Sequence, residues 1–314
     1  MEKILITGAL GQLGTDLLEG LVERYGSEHI VATDLKPASR DLGVQFEELD
    51  VLDGDLLGTL IQRHSVTQIY HLAAILSARA ESKPLMAWDI NMSGLFNILE
   101  AGRIHNLQKI FWPSSIAVFG PDTPKTMTPQ NTITNPSTIY GIQKLAGERW
   151  CEYYFQKYGL DIRSVRYPGL IGYKSMAGGG TTDYAVDIYF SAAKGENFSC
   201  FLEENTRLPM MYMKDAVRGT IELMEADSSD ITIRSSYNLA GVSFTPEEIF
   251  REIQNEIPDF DIEYTPDFRQ GIANSWPDSI DDQKAREDWG WQPEFDLKGM
   301  TQDILSHIRE NIGT

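Results

Sequence analysis

Tyr140 and Lys144 stand four residues apart in Tyr140-Gly-Ile-Gln-Lys144, a spacing that places two side chains on one face of a helix, about one turn apart. A phenol with a pKa of about 10 is a poor base near neutrality. An adjacent ammonium favours the phenolate and lowers that pKa, which makes the pair a proton acceptor for an alcohol. Such pairs also arise by chance on surface helices, so the meaning of this one depends on what lies upstream. There the chain reads Gly8-Ala-Leu-Gly11-Gln-Leu-Gly14, directly after Ile4-Leu5-Ile6 and opening an amphipathic segment through Leu21. Gly8 serves a tight turn, Gly11 lets a pyrophosphate approach the backbone, and Gly14 permits close helix–strand packing. The helix start adds free N–H groups and a dipole that favours phosphates. Asp34 ends the next apolar run, about 20 residues beyond Gly14, where an acid can bind an adenosine ribose and repel a 2′-phosphate. A solvent-facing aspartate would look the same in isolation.

These groups need a scaffold, and the pattern supplies one. Strand candidates at Lys3–Thr7, Ile30–Asp34, Val44–Leu49, Gln68–Leu72, Lys109–Ser115 and Ile162–Arg166 alternate with helical patterns at Gln12–Tyr25, Asp53–His64, Leu85–His105 and Tyr140–Tyr158. Alternation of this kind predicts an α/β fold, a Rossmann-like, doubly wound parallel sheet. Pro121–Pro136, rich in Pro, Thr and Asn, reads as a long loop entering the Tyr140 helix. From Pro168 the regular alternation stops, which predicts a dinucleotide-binding domain over 1–167 and a smaller, interleaved, mainly substrate-binding region over 168–314. In that region Gly178-Gly-Gly180 allows a mobile gate. Thr181 or Thr182 is expected to cap the following helix, whose N–H groups would offer a carboxylate site. The chain of 314 residues carries a net charge of −19, which argues against nucleic acid and anionic membranes as partners. No apolar run approaches the roughly 20 residues of a membrane span, and no signal-peptide pattern opens the chain, so a cytoplasmic protein is expected. Cys151 and Cys200 are too few and too far apart for a zinc site or disulfide framework, and no metal is expected.

With these residues in place, the chain resembles the extended short-chain dehydrogenases/reductases over almost its whole length. Gly8–Gly14, Asp34, His71-Leu-Ala-Ala74, Asn91–Asn97, Pro113–Gly120, Tyr140–Lys144 and the stretch Asp281–Pro293 carry the likeness. The resemblance implies a catalytic set of Ser115, Tyr140 and Lys144, with the adjacent Ser114 easily mistaken for the serine. It also implies NAD as cofactor, held by Gly8, Gly11, Gln12, Leu13, Gly14, Asp34, Asp50, Val51, Leu72, Ala73, Ala74, Asn91, Tyr140, Lys144, Tyr167 and Pro168. Sugar epimerases of the family carry an Arg-Asp pair where this chain has Leu208-Pro209, with Arg207 displaced by one residue. Instead, Arg166–Gly172, Gly178–Tyr184 and Asn274–Asp278 resemble the short-chain type of L-threonine 3-dehydrogenases. That likeness implies oxidation of L-threonine at its C3 hydroxyl to L-2-amino-3-oxobutyrate, with hydride passing to nicotinamide C4 and Tyr140 acting as base. Ser77, Ser115, Tyr140, Gly180, Thr181, Thr182 and Trp276 would contact the substrate. The alternatives are a nucleotide-sugar epimerase or dehydratase and a non-catalytic dinucleotide sensor. The resemblance further implies a homodimer through Leu85–His105 and Tyr140–Tyr158, to which Leu95, Ile98, Leu99, Trp150 and Tyr154 would contribute.

Overall fold

Ile4-Leu5-Ile6-Thr7 forms strand β1 (Ile4–Thr7), buried at every residue. An unbroken apolar run suits a strand covered by helices on both faces. The computed structural model describes residues 2–312 and, of these, the side chains as far as residue 310. Around β1 lie β2 (Ile30–Asp34), β3 (Gln45–Glu48), β4 (Gln68–His71), β5 (Lys109–Phe111) and, after the short β6 (Ser114–Ser115), β7 (Ile162–Arg163). They form a wholly parallel sheet in the order β3-β2-β1-β4-β5-β7. The order reverses between β1 and β4, and α/β sheets bind ligands in the crevice beyond the carboxyl ends of the strands at such a point.

The helices follow from local signals. Helix α1 (Gln12–Tyr25) starts at the glycine turn, and α2 (Gly54–His64) is capped by Asp53, whose side chain accepts from Leu56 N at 2.8 Å. Next come α3 (Ser77–Ser82), α4 (Pro84–Trp88), α5 (Gly94–Ile104) and α6 (Ile139–Tyr158). Between α4 and α5 the expected continuous helix widens into a π-helical stretch at Asp89–Ser93, a feature frequent at functional sites. The sheet separates two cores. Leu5, Ile69 and Ile110 pack with Leu57 and Leu60 of α2, Leu95 and Leu99 of α5 and Cys151 of α6. Ile4, Ile6, Tyr70 and Phe111 pack with α1 and the C-terminal half. Leu95, Ile98 and Leu99, expected at an interface, are fully buried within this chain, and Tyr154 is nearly so. Their long apolar pattern belongs to the core.

Two expected strands break. Lys109–Ser115 divides at Trp112-Pro113, because proline has no N–H to give a ladder. Ser114 and Ser115 pair instead with β8 (Val165–Tyr167). Ile162–Arg166 divides for the matching reason, β7 staying in the main sheet while β8 joins β6. The C-terminal half contributes β9 (Gly169–Ile171), α7 (Tyr184–Lys194), β10 (Phe198–Cys200), β11 (Leu208–Tyr212), α8 (Met213–Glu225), β12 (Tyr237–Asn238) and β13 (Val242–Phe244). Its segments interleave with the first half. β12 extends the ladder of β8, and α8 lies so close to α1 that a Cβ on Gly20 would come within 2.6 Å of Val217. No described helix is long and apolar enough to cross a membrane.

Candidate active site

Thr138 caps α6, its hydroxyl accepting from Gly141 N at 3.0 Å. At Gly141 the helix rests on the turn after β6. A Cβ there would meet Ala117 O at 2.1 Å, so only glycine allows the approach. That contact brings Tyr140 against Ser115. Lys144 follows one turn later and Glu148 a turn after that, all on one face. Ser114 and Ser115 separate cleanly. Ser114 Oγ donates to Glu148 Oε1 at 2.7 Å, whereas Ser115 Oγ accepts from Ala117 N at 3.2 Å and interacts with the Tyr140 phenol.

One cavity at the β1/β4 crevice gathers most of the expected residues. Gly8, Gly11, Gln12, Leu13 and Gly14 line one end with Leu72 and Ala74, while Ser115, Tyr140, Lys144, Tyr167 and Pro168 line the middle. Ser77, Gly180, Thr181, Thr182 and Trp276 line the other end. Pro113, Ser114, Ile116 and Gly169 also line it, as do Leu76, Leu170 and Asp183, which are not among the site residues expected from the sequence. Among the described residues no cluster of His, Cys, Asp and Glu is arranged to hold a metal.

The electrostatics correct one expectation. Lys144 Nζ donates to Pro113 O at 2.6 Å and lies 5.4 Å from the centre of the Tyr140 ring. Burial dominates both groups. It pushes the Tyr140 phenol up, opposed only by Ser115, and brings Lys144 down to about 7. Burial thus disfavours the charged form of each, and Lys144 is not among the groups that lower the Tyr140 pKa here. His71, at the end of β4, shares a 2.7 Å hydrogen bond with the Thr7 hydroxyl across the crevice. Burial and then Lys144 hold its pKa down to about 3, which keeps the ring neutral at ordinary pH.

The glycine turn fits a dinucleotide. Gly8 has φ +72°, and a Cβ on Gly14 would lie 2.3 Å from Gly8 O, so the turn and the helix start are pressed together. Around Gly11 only Gly8 O, at 3.3 Å, would approach a Cβ, leaving open the place where a pyrophosphate would meet backbone. No side chain caps α1, and the buried Gln12 Nε2 has no hydrogen-bond partner. Asp34 braces the turn, accepting from Leu10 N at 3.0 Å, and no cation pairs with it among the described residues.

Other expected residues have different tasks. Asp34, Asp50, Val51, Ala73 and Asn91 lie outside the cavity lining. Asp50 is exposed and accepts from Leu52 N, while Val51 is buried with its carbonyl taken by Asn97. Asn91, in the π-helical stretch, spends its amide within the protein. It bonds both Ile75 N (2.7 Å) and Ile75 O (3.0 Å) and donates to Gln143 Oε1 (2.8 Å), which fixes the loop after β4 to α6. Thr181 and Thr182 do not cap α7. Ala185 N bonds Thr182 O, Val186 N and Asp187 N bond Asp183 O, and Asp183 Oδ2 takes Gly179 N and Gly180 N at 2.7 and 2.6 Å. Those glycine N–H groups lie before the helix, and no side chain caps the start of α7. Thr181 instead faces Ser77, their hydroxyls 3.5 Å apart. Trp276 is held at the cavity by Lys125, whose ammonium donates to Trp276 O at 2.6 Å and to Asn274 O at 2.5 Å. No local pattern pointed to Lys125. Glu148 was legible, lying four residues beyond Lys144 on the same face.

Comparison with known proteins agrees with this geometry. Residues 4–240 match the model of the NAD dependent epimerase/dehydratase family. An uncharacterized epimerase/dehydratase of Staphylococcus aureus (strain MRSA252) is 50% identical, covering 99% of this chain and 98% of its own. Among solved structures, the GalE-like L-threonine dehydrogenase from Cupriavidus necator in its holo form superposes with a TM-score of 0.96 at 52% identity, covering 98% of this chain and 99% of that one. A monomeric L-threonine 3-dehydrogenase from a metagenome gives 0.96 at 48% identity, with the same coverage. The glycine turn, the crevice at the strand reversal and the Ser115-Tyr140-Lys144 face are thus those of a family built around NAD, and this chain belongs to the NAD dependent epimerase/dehydratase family with NAD as its cofactor.

Proposed function

We propose that this NAD-dependent oxidoreductase oxidises L-threonine at its C3 hydroxyl, giving L-2-amino-3-oxobutyrate. The carrying observation is the charge of the cavity beyond Ser115. A nucleotide sugar brings a diphosphate that needs cationic, preferably bidentate contacts. Leu208 and Pro209 are buried in β11, and the displaced Arg207 turns away to Ser243 O (2.8 Å) and Glu248. Among the described residues no arginine lines the cavity. What remains suits a small polar molecule, with the Ser77 and Thr181 hydroxyls at one end and Ser115 with Tyr140 at the other.

In this reading Gly8–Gly14 and Asp34 hold the cofactor's pyrophosphate and ribose, and Lys144 faces its nicotinamide half. NAD, when bound, supplies the acceptor for the C3 hydride and, in its cationic nicotinamide ring, a charge that favours ionised tyrosine. Ser115 holds the substrate hydroxyl and the carbonyl oxygen that develops from it. Tyr140, as phenolate, takes the hydroxyl proton. Trp276 and Leu76 exclude water from the end of the cavity that holds the rest of the substrate.

NAD reduction should be seen with L-threonine, more weakly with L-serine, which lacks the methyl group to pack, and not with UDP-galactose or UDP-glucose. NADP should serve with lower catalytic efficiency, because Asp34 repels a 2′-phosphate and Leu35 beside it offers no charge. Epimerisation of either sugar without threonine oxidation would overturn the substrate assignment.

The pairing of two copies through the 84–104 and 139–158 helices belongs to the same reading. Leu85 is 85% exposed and Ile104 58%, and Ile142, Trp150, Tyr153 and Tyr158 are exposed beside them. An apolar patch of this kind marks an interaction surface, and a two-fold arrangement would cover it with itself. Light scattering at micromolar concentration should give twice the chain mass. A monomer there would remove the interface.

A further inference from the structure

Among the described residues lining the cavity, Asp183 is the single acidic side chain and Lys144 the single basic one. Lys144 stands at the reacting end, held to Pro113 O. Asp183 belongs to the other end, beside Gly180, Thr181 and Thr182. Both glycine N–H groups that it binds fall on Oδ2. Among the described residues none donates a hydrogen bond to Oδ1, which is close enough to the glycine loop that a Cβ on Gly180 would meet it at 2.8 Å. The carboxylate is thus fixed through one oxygen, and its other oxygen has no such bond among the described residues. An amino acid entering such a site must find a partner for its ammonium, because a desolvated charge without one is strongly disfavoured. Neither the Ser77 and Thr181 hydroxyls nor Trp276 carries a negative charge.

Resting on the threonine reading, we infer that Asp183 Oδ1 receives the substrate ammonium and so selects 2-amino-3-hydroxy acids over hydroxy acids that lack the amine. The glycine loop has a part in this. By occupying Oδ2, Gly179 and Gly180 orient the carboxylate and hold it in place before substrate arrives. Burial raises the pKa of Asp183, with the two glycine N–H groups and Arg269 acting against it, and an incoming ammonium would restore the charged form. The same acid disfavours any anionic ligand at this end, which adds to the case against a sugar diphosphate.

Asp183→Asn keeps a carbonyl oxygen for the glycine N–H groups and removes the charge. A hydrogen bond to a charged group is lost, so the KM for L-threonine should rise roughly 10–100-fold, while the Kd for NAD stays within about twofold. Oxidation of 3-hydroxybutyrate, which has no amine, should be unchanged or improved by the same substitution. An Asn variant with an unaltered threonine KM would overturn the assignment. Equal losses with threonine, 3-hydroxybutyrate and NAD would overturn it too, since they would mark Asp183 as a loop brace only. Should the variant not fold, the wild-type protein decides: 3-hydroxybutyrate must show a much higher KM than threonine, and comparable values would refute the inference. Wild-type protein that oxidises 3-hydroxybutyrate but not threonine would defeat the threonine reading and this inference together. Threonine oxidation with an indifferent Asn variant would defeat the inference alone.

Discussion

Tyr140→Phe should lower kcat with L-threonine by about 10²–10⁴-fold, the range expected when a general base is removed, and leave the Kd for NAD nearly unchanged. The phenyl ring still fills the cavity wall, and Ser115 and Lys144 keep their own anchors at Ala117 N and Pro113 O. Only the proton acceptor is gone. The pH profile carries a second signature. Burial raises the Tyr140 pKa, and the reactive form is the deprotonated one, so the wild-type rate should climb as pH rises through neutrality. The variant should lose that climb. Single-turnover NAD reduction between about pH 6 and pH 9, below the ordinary titration range of Lys and Tyr groups, would measure both effects. Turnover within a factor of about two of wild type would remove Tyr140 from the proposed mechanism.

The parts of this site that could be read from the chain are those fixed by local pattern. The glycine turn lies between a strand and a helix, and Tyr140 and Lys144 share a helix face, so spacing alone places them. Asp34 ends β2 as expected, and Arg207, displaced by one residue in the sequence, is not among the cavity-lining residues. The remainder depends on what the fold brings near. Pro113 ends a ladder, but only the pairing of β6 with β8 shows where Ser115 goes next. The threonines after Gly180 looked like caps because cap residues precede helices, yet the residue next to α7 is Asp183, whose side chain turns back to Gly179 and Gly180 and leaves the helix start without a side-chain cap. The lowering of the Tyr140 pKa expected from Lys144 rests on spacing, which reports the neighbour and not the burial of both groups. The apolar pattern of α5 likewise could not divide Leu95 and Leu99, which face the core, from Ile104, which faces outward.

Glu148→Ala should destabilise the folded chain by about 3–5 kcal/mol, the cost of breaking a buried ion pair by removing one partner. Glu148 is fully buried and Arg166 nearly so. The guanidinium grips the carboxylate with two bonds of 2.8 Å, from Nε and Nη2. Ser114 adds a third at 2.7 Å, so one carboxylate ties α6, β6 and β8 together beneath Ser115. After truncation Arg166 would keep Gln130 O at 3.1 Å and Asn238 Oδ1 at 3.0 Å, neither of which carries a countercharge. The buried cation, more than the lost contact, is the source of the expected penalty. A double variant tests that distinction. Glu148→Leu with Arg166→Met removes both charges and keeps apolar volume, so it should recover much of the stability lost by Glu148→Ala. The same double variant still lacks the Ser114 anchor, and its kcat should stay low even where its stability returns. Urea unfolding with parallel kinetics would separate the two outcomes. A loss below about 1 kcal/mol for Glu148→Ala would mean that the pair contributes no more than an exposed one. Full activity in the stabilised double variant would mean that Ser115 does not depend on the Glu148–Ser114 bond.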